Sequence, residues 1–138
     1  MIRGYQDEDY KQLKQLYEHT EWYGGVFSEA RDGRERLARK IATDPEAILV
    51  YEEGGALLGT ISVIEDGRVA WLYRFVVKDL EVDITRQLYE KAISVLRARG
   101  HQEVLVYSEA ENATLDARYT QLGMHKGGNY TCFWADIA

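Results

Sequence analysis

Cysteine, proline and long apolar runs are almost missing from this chain of 138 residues, which has one cysteine, Cys132, and one proline, Pro45. A single thiol cannot form an internal disulfide, so the fold needs no oxidising compartment. No stretch approaches the roughly 20 apolar residues of a membrane span. The opening Met1 to Asp9 has no apolar signal core. Together these absences predict a cytoplasmic protein with no membrane partner. The histidines, His19, His101 and His125, are far apart and lack metal-ligand spacing, and no Cys-x-x-Cys occurs. No metal is therefore expected. Gly-x-Ser-x-Gly, Walker and dinucleotide-binding glycine patterns are missing too. Positive charge is in short supply: 17 basic against 23 acidic residues gives a net charge of −6. Such a surface does not attract phosphate backbones, so nucleic acid is excluded as a general partner. A cationic amine suits it.

Apolar residues make up 46% of the chain and charged residues 29%. That composition predicts a single globular domain over 1–138, with one core. Ile2 to Tyr5 reads as a short strand. Asp7 is placed to cap a helix carrying Tyr10, Leu13, Leu16 and Tyr17, ended near Thr20 by Gly24-Gly25. Ser28 opens a second helix with Leu37, Ala38 and Ile41 inward, ended before Asp44-Pro45. Its Arg31, Arg34, Arg36, Arg39 and Lys40 alternate with Glu29, Asp32 and Glu35, the pattern of a solvated face rather than a phosphate patch.

Strands follow over Ala47–Glu52, Ala56–Ile64 and Arg68–Val77, with turns at Gly54-Gly55 and Asp66-Gly67. In the last of these, alternation puts Trp71, Tyr73, Phe75 and Val77 on one face and Leu72, Arg74 and Val76 on the other. Both faces are mostly apolar, which predicts a central strand. A helix from about Asp83 to Arg99 buries Ile84, Leu88, Ala92, Val95 and Leu96, with Gly100 as its stop. Val104–Tyr107 is a strand, parallel to the one before the helix. A helix over Asn112–Leu122 stops at Gly123, and a final aromatic strand, Tyr130–Ile137, is expected to bury Cys132 as an inert thiol.

This order of elements, with Asn112, Tyr119 seven residues later and then Leu122-Gly123-Met124, resembles the GNAT N-acyltransferase superfamily. The resemblance covers essentially the whole chain. It implies an α/β (mixed α+β) fold with a central sheet of six to seven strands and helices on both faces. It also implies acetyl-CoA as cofactor and an amine of a small molecule or peptide as acceptor. In the family, the strand matching Arg68–Val77 splays from its parallel neighbour, Glu103–Tyr107. Backbone groups of Phe75, Val76 and Val77 would then hold the pantetheine arm. The family's pyrophosphate loop, Gln/Arg-x-x-Gly-x-Gly/Ala, falls on Leu80, Asp83 and Thr85, with no glycine. Asp83 reads as the N-cap of the following helix, and Glu81 and Asp83 add negative charge. Amides at Ile84, Thr85 and Arg86 remain as candidate phosphate contacts, with Arg86 and Lys78 the nearby cations.

Tyr119 either matches the phenol that protonates the leaving thiolate or is a structural tyrosine near a helix end, and Asn112 either meets the cofactor or caps its own helix. The strand Trp71–Val77 holds no carboxylate base, and Glu52 and Glu65 near strand ends read as solvent-facing. Glu21, Trp22 and Tyr23, in the family's acceptor loop, join Trp71 and Tyr73 as candidates for receiving an ammonium group; Trp22 and Tyr23 read equally as sealing the core beneath the glycine turn. A second reading keeps the fold without the cofactor, as a binding or dimerisation module, the aromatic last strand offering an edge for a homodimer. A third keeps the enzyme with another donor, such as an acyl group on a carrier protein.

Overall fold

The computed structural model describes residues 1–18 and 26–138. Contacts divide them into two compact units, Met1–Tyr107 and Ser108–Ala138. The first is built on a five-stranded sheet whose spatial order follows the chain: β1 (Ile2–Gly4), β2 (Ile48–Glu53), β3 (Ala56–Glu65), β4 (Ala70–Val77) and β5 (Leu105–Val106). The pairs from β1 to β4 are antiparallel, and β4–β5 is parallel. Among its described residues this unit also holds helices α1 (Tyr10–Glu18), α2 (Glu29–Asp32), α3 (Arg34–Thr43) and α4 (Val82–Ala98). The second holds α5 (Ala113–Gln121) among its described residues.

The apolar stripes read from the sequence form the core. Leu13, Leu16 and Tyr17 of α1 are buried, as are Ile84, Leu88, Ala92, Val95 and Leu96 of α4. At about 25 cal/mol per Å² of apolar surface removed from water, burial of this kind dominates the favourable side of folding. Gly59 lets α4 approach the sheet: a Cβ there would lie 2.8 Å from Leu88 Cδ1 and 3.2 Å from Ile84 Cγ2. Gln12 ties α1 to the β2–β3 turn. Its amide donates to the Gly55 carbonyl (3.1 Å), and its carbonyl accepts from Leu57 N–H (2.9 Å).

Four expectations are corrected. The start of the first helix is organised by Asp9, not Asp7. Asp9 accepts the Gln6 N–H (2.9 Å) and both arms of the Arg3 fork (2.7 and 2.9 Å), while Asp7 pairs with Arg34. The second helix is broken at Gly33, which has extended ψ, and a Cβ there would fall 2.5 Å from the Glu29 carbonyl oxygen. The sheet has five strands because Tyr130–Ile137 forms none. Tyr130, Phe133 and Trp134 are exposed, and so is Cys132. Strand propensity without a partner ladder does not make a strand. Lastly, Glu52 and Glu65 are half-buried and tied to basic partners rather than free in solvent. Glu52 is bonded to Arg3 (3.1 Å), and Glu65 joins His101 (2.8 Å) and Arg99 (3.2 Å). Arg99 also forks onto Asp44 (2.7 and 2.9 Å), so one guanidinium pins three segments at the end of β3.

Candidate active site at the open end of the sheet

The Arg99 cluster marks the closed end of the β3–β4 hairpin; the other end is open. The β4–β5 ladder consists of Trp71–Leu105 and Leu72–Val106 and goes no further. Strand β4 continues to Val77 along β3 alone, with Val76 opposite Thr60 and Val77 opposite Gly59. A sheet that parts in this way directs main-chain N–H and C=O groups into the gap, where a ligand can satisfy them.

A bulge sits beside the parting point. Tyr73 faces Ser62 and Val76 faces Thr60, so Arg74 and Phe75 together oppose Ile61 alone. Arg74 has φ 48°, in the left-handed region that glycine usually fills in such bulges. The extra residue swaps the faces beyond it. Tyr73 stands opposite Ser62 and shares the Arg74 guanidinium with Tyr17 of α1, whereas Val77 stands opposite Gly59, which faces α4. The strict alternation that placed Trp71, Tyr73 and Val77 on one face is therefore corrected.

Arg74 points into the α1 side and is 1% exposed. Its guanidinium donates to both oxygens of Asp32 in α2, Nη2–Oδ2 at 2.5 Å and Nε–Oδ1 at 3.3 Å. It also lies 4.9 Å from the Tyr17 ring and 5.5 Å from the Tyr73 ring. Asp32 further accepts from Ser28 N–H (3.0 Å) and Arg31 Nε (3.3 Å). Burial holds the Tyr17 and Tyr73 hydroxyls above the ordinary phenol value, so both stay neutral. Trp71, on the Tyr73 side, stacks on Tyr107 with ring centroids 4.6 Å apart, tilted 38°.

Past β4, Lys78–Leu80 forms a tight turn with Asp79 and Leu80 at φ 55° and 52°. Left-handed backbone thus occurs here without glycine. The cap of α4 is Glu81, not Asp83. The helix starts at Val82, the Glu81 carboxylate accepts Ile84 N–H (3.1 Å), and the Glu81 carbonyl accepts Thr85 N–H and Oγ1–H (3.0 and 2.7 Å). The amides of Ile84 and Thr85 are therefore engaged within the helix. Arg86 lies 3.6 Å from Asp83, both exposed.

The predicted cofactor residues Phe75, Val76 and Val77 thus line one strand past the parting point, buried at their side chains. Ile84 reaches the same end through Gly59. Glu21, Trp22 and Tyr23 lie outside the described residues. In the second unit, Asn112 caps α5 by accepting Leu115 N–H (3.0 Å). Tyr119 lies in the last turn of α5, its ring 5.7 Å from the Arg118 guanidinium. Sequence reading missed three features of this region: Tyr107, Glu81 as cap, and the Arg74–Asp32 pair. The last had a legible signal, since a charge within an otherwise apolar strand must find a partner. The donor set fits coenzyme A at its pantetheine end, where the strands part. At the helix end, the Glu81 carboxylate takes an amide that a phosphate would use.

No family model matches the sequence, and no curated protein matches it. Solved structures do. A ribosomal-protein-alanine N-acetyltransferase from Brucella melitensis is 22% identical with TM-score 0.75, covering 93% of this chain and 86% of its own. The PaiA N-acetyltransferase of Thermoplasma acidophilum, solved in complex with coenzyme A, is 19% identical with TM-score 0.71, covering 88% and 86%. An acetyltransferase of the GNAT family from Streptococcus pneumoniae is 17% identical with TM-score 0.70, covering 89% and 82%. The chain has the fold of the GNAT N-acyltransferase superfamily.

Proposed function

We propose that this protein is an N-acetyltransferase that moves an acetyl group from acetyl-CoA to an amine of a small molecule or peptide, in the cytoplasm. The observation that carries this reading is the β4–β5 ladder ending at Leu72–Val106, in a fold shared with acetyltransferases. Among the described residues no helix is long and apolar enough to cross a membrane. Acetyl-CoA, when bound, supplies an acyl group activated as a thioester. Main-chain groups of Phe75, Val76 and Val77 grip the amide-bearing arm and orient the acyl carbonyl. Trp71, Tyr107 and Tyr73, with Glu21, Trp22 and Tyr23, receive the acceptor through cation–π and ionic contacts. The ammonium gives up its proton to water before attack, and catalysis then rests mainly on holding the free amine against the carbonyl carbon.

Tyr119 is the general acid for the leaving thiolate. A thiol leaving group with an ordinary pKa near 8.5 needs only modest help from a placed acid. Titration calorimetry with acetyl-CoA, followed by turnover on an amine panel with detection of free thiol, tests the proposal. Saturable heat and turnover are expected, and Tyr119→Phe should lower kcat about 10²–10⁴-fold with little change in KM. No heat at millimolar cofactor would refute the enzyme reading. A donor panel including acyl carrier proteins separates a change of donor from loss of activity.

The second reading, a non-catalytic binding or dimerisation module, draws on one feature: the Glu81 carboxylate seated on Ile84 N–H with Asp83 beside it.

A further inference from the structure

The bulge in β4 is built around an arginine where backbone geometry alone would select glycine. A non-glycine residue held left-handed persists only where its surroundings over-determine it. Here the surroundings are the Asp32 carboxylate, placed by Ser28 N–H and Arg31, and the faces of Tyr17 and Tyr73. The two partners are 42 residues apart in sequence, with side chains 1% and 3% exposed. A desolvated bidentate pair has one productive geometry. To reach it, Arg74 must project toward α2 from a strand position that regular alternation assigns to the opposite face from Tyr73. The left-handed turn at Arg74 resolves that conflict. The same turn inserts the extra residue, rotates Val77 to the α4 side, and falls two residues after the last β4–β5 pair.

We propose that the buried Arg74–Asp32 pair is the latch that holds Arg74 in its left-handed turn, offsetting a strain that glycine would not feel, so that the β4 bulge persists and β4 and β5 stay apart, making Arg74 a positioning residue for the donor cleft. The link to the cleft rests on the acetyltransferase reading; the latch itself does not. Because Asp32 belongs to α2 and Arg74 to β4, the pair also fixes α2 against the strand that carries the cleft.

Two double variants separate a latch from ordinary core packing. Arg74→Leu with Asp32→Leu removes both charges and fills the space with apolar atoms, yet leucine resists left-handed φ. Arg74→Gly with Asp32→Leu also removes both charges and packs worse, but glycine accepts the bulge. Were Arg74 only a packed side chain, the leucine variant would be the better of the two. The latch predicts the reverse. In backbone NMR, the glycine variant should keep the cross-strand Gly59–Val77 and Ser62–Tyr73 pairs. The leucine variant should lose the bulge, shift one of these pairs by a residue, and slow amide exchange past Tyr73 as β4 zips onto β5. Acetyl-CoA affinity should fall at least tenfold in the leucine variant and stay within threefold in the glycine variant.

If the leucine variant does not fold, Asp32→Asn serves instead. There Arg74 keeps its buried charge but loses its carboxylate, so β4 loosens instead of zipping onto β5; exchange at Arg74–Val77 should speed at least tenfold while that of Leu49 and Ile61 is unchanged. An intact bulge in the leucine variant, or unchanged exchange in Asp32→Asn, overturns the latch. Wild-type protein that ignores acetyl-CoA while the NMR outcomes hold would overturn the enzyme reading and leave the latch standing.

Discussion

Single residues decide how well this fold can hold an anion at the start of α4. Free N–H groups and the dipole make a helix N-terminus attractive to phosphate, but Glu81 already places a carboxylate on Ile84 N–H at 3.1 Å. The protein thus stabilises α4 with an internal stand-in for the ligand. A like-charge contact at about 4 Å costs on the order of 4 kcal/mol at an effective dielectric of 20, before screening. The cap itself contributes about 1 kcal/mol to α4. Glu81→Ala should therefore lower the melting temperature slightly and tighten acetyl-CoA binding at least tenfold. Glu81→Gln should tighten it less, because its amide oxygen can still occupy the Ile84 N–H. Calorimetry on the three proteins measures both effects. Equal affinities across the series would mean that the cap and the cofactor do not compete, and that the phosphates sit elsewhere.

Elements with a local signature were legible before any coordinates. Helix α4 shows its stripe at Ile84, Leu88, Ala92, Val95 and Leu96, and a stop at Gly100 with φ 88°. The β3–β4 hairpin shows Asp66-Gly67, with the Asp66 carboxylate accepting Arg68 and Val69 N–H and Gly67 at φ 85°. What could not be read depends on partners far along the chain. The bulge needs Asp32 to meet Arg74, and the expected strand Tyr130–Ile137 needs a ladder that propensity cannot supply. The break at Gly33 depends on the Glu29 carbonyl in the turn before it. Of the candidate site, the stretch Phe75–Val77 was legible because it is continuous, while Tyr107 and Glu81 were not. Packing of α4 on β3 gives the test at this scale. Gly59 stands where any side chain meets Leu88 and Ile84, and the backbone oxygen of Val76 lies 3.3 Å from the same point. A β-branched residue there must push the helix outward, and overpacking of this kind costs about 1–3 kcal/mol. Gly59→Val should lower the melting temperature by roughly 4–12 °C. A melt unchanged within error would show that α4 does not rest on Gly59.

At the scale of the whole molecule, a net charge of −6 coexists with a few acidic groups committed to particular arginines. The Arg3 fork holds the Asp9 carboxyl below its ordinary 3.8, and the Arg99 fork does the same for Asp44. Hydrogen bonds from His101, Gly67 N–H and Arg99 lower Glu65 below 4.5. These shifts have one sign. A carboxyl with a depressed value in the folded state binds fewer protons there than in the unfolded chain, so folding gains from it above the unfolded value. That gain is lost as pH falls through 4.5 and 3.8 toward the lower folded values. Tyr17 behaves oppositely: burial raises its hydroxyl above 10, so its contribution is complete below pH 10 and is lost above it. The stability curve should therefore be flat near neutrality, with an acid limb that starts below about pH 4.5. Arg99→Gln isolates the cause of that limb, because this guanidinium serves Asp44 and Glu65 together across two loops. Thermal melts from pH 7 down to about pH 3 should show the variant well below wild type at neutral pH. The gap should close as both carboxyls become protonated in either protein. A gap of constant size across that range would mean that Arg99 stabilises through its packed stem, and that acid unfolding is governed by other carboxylates.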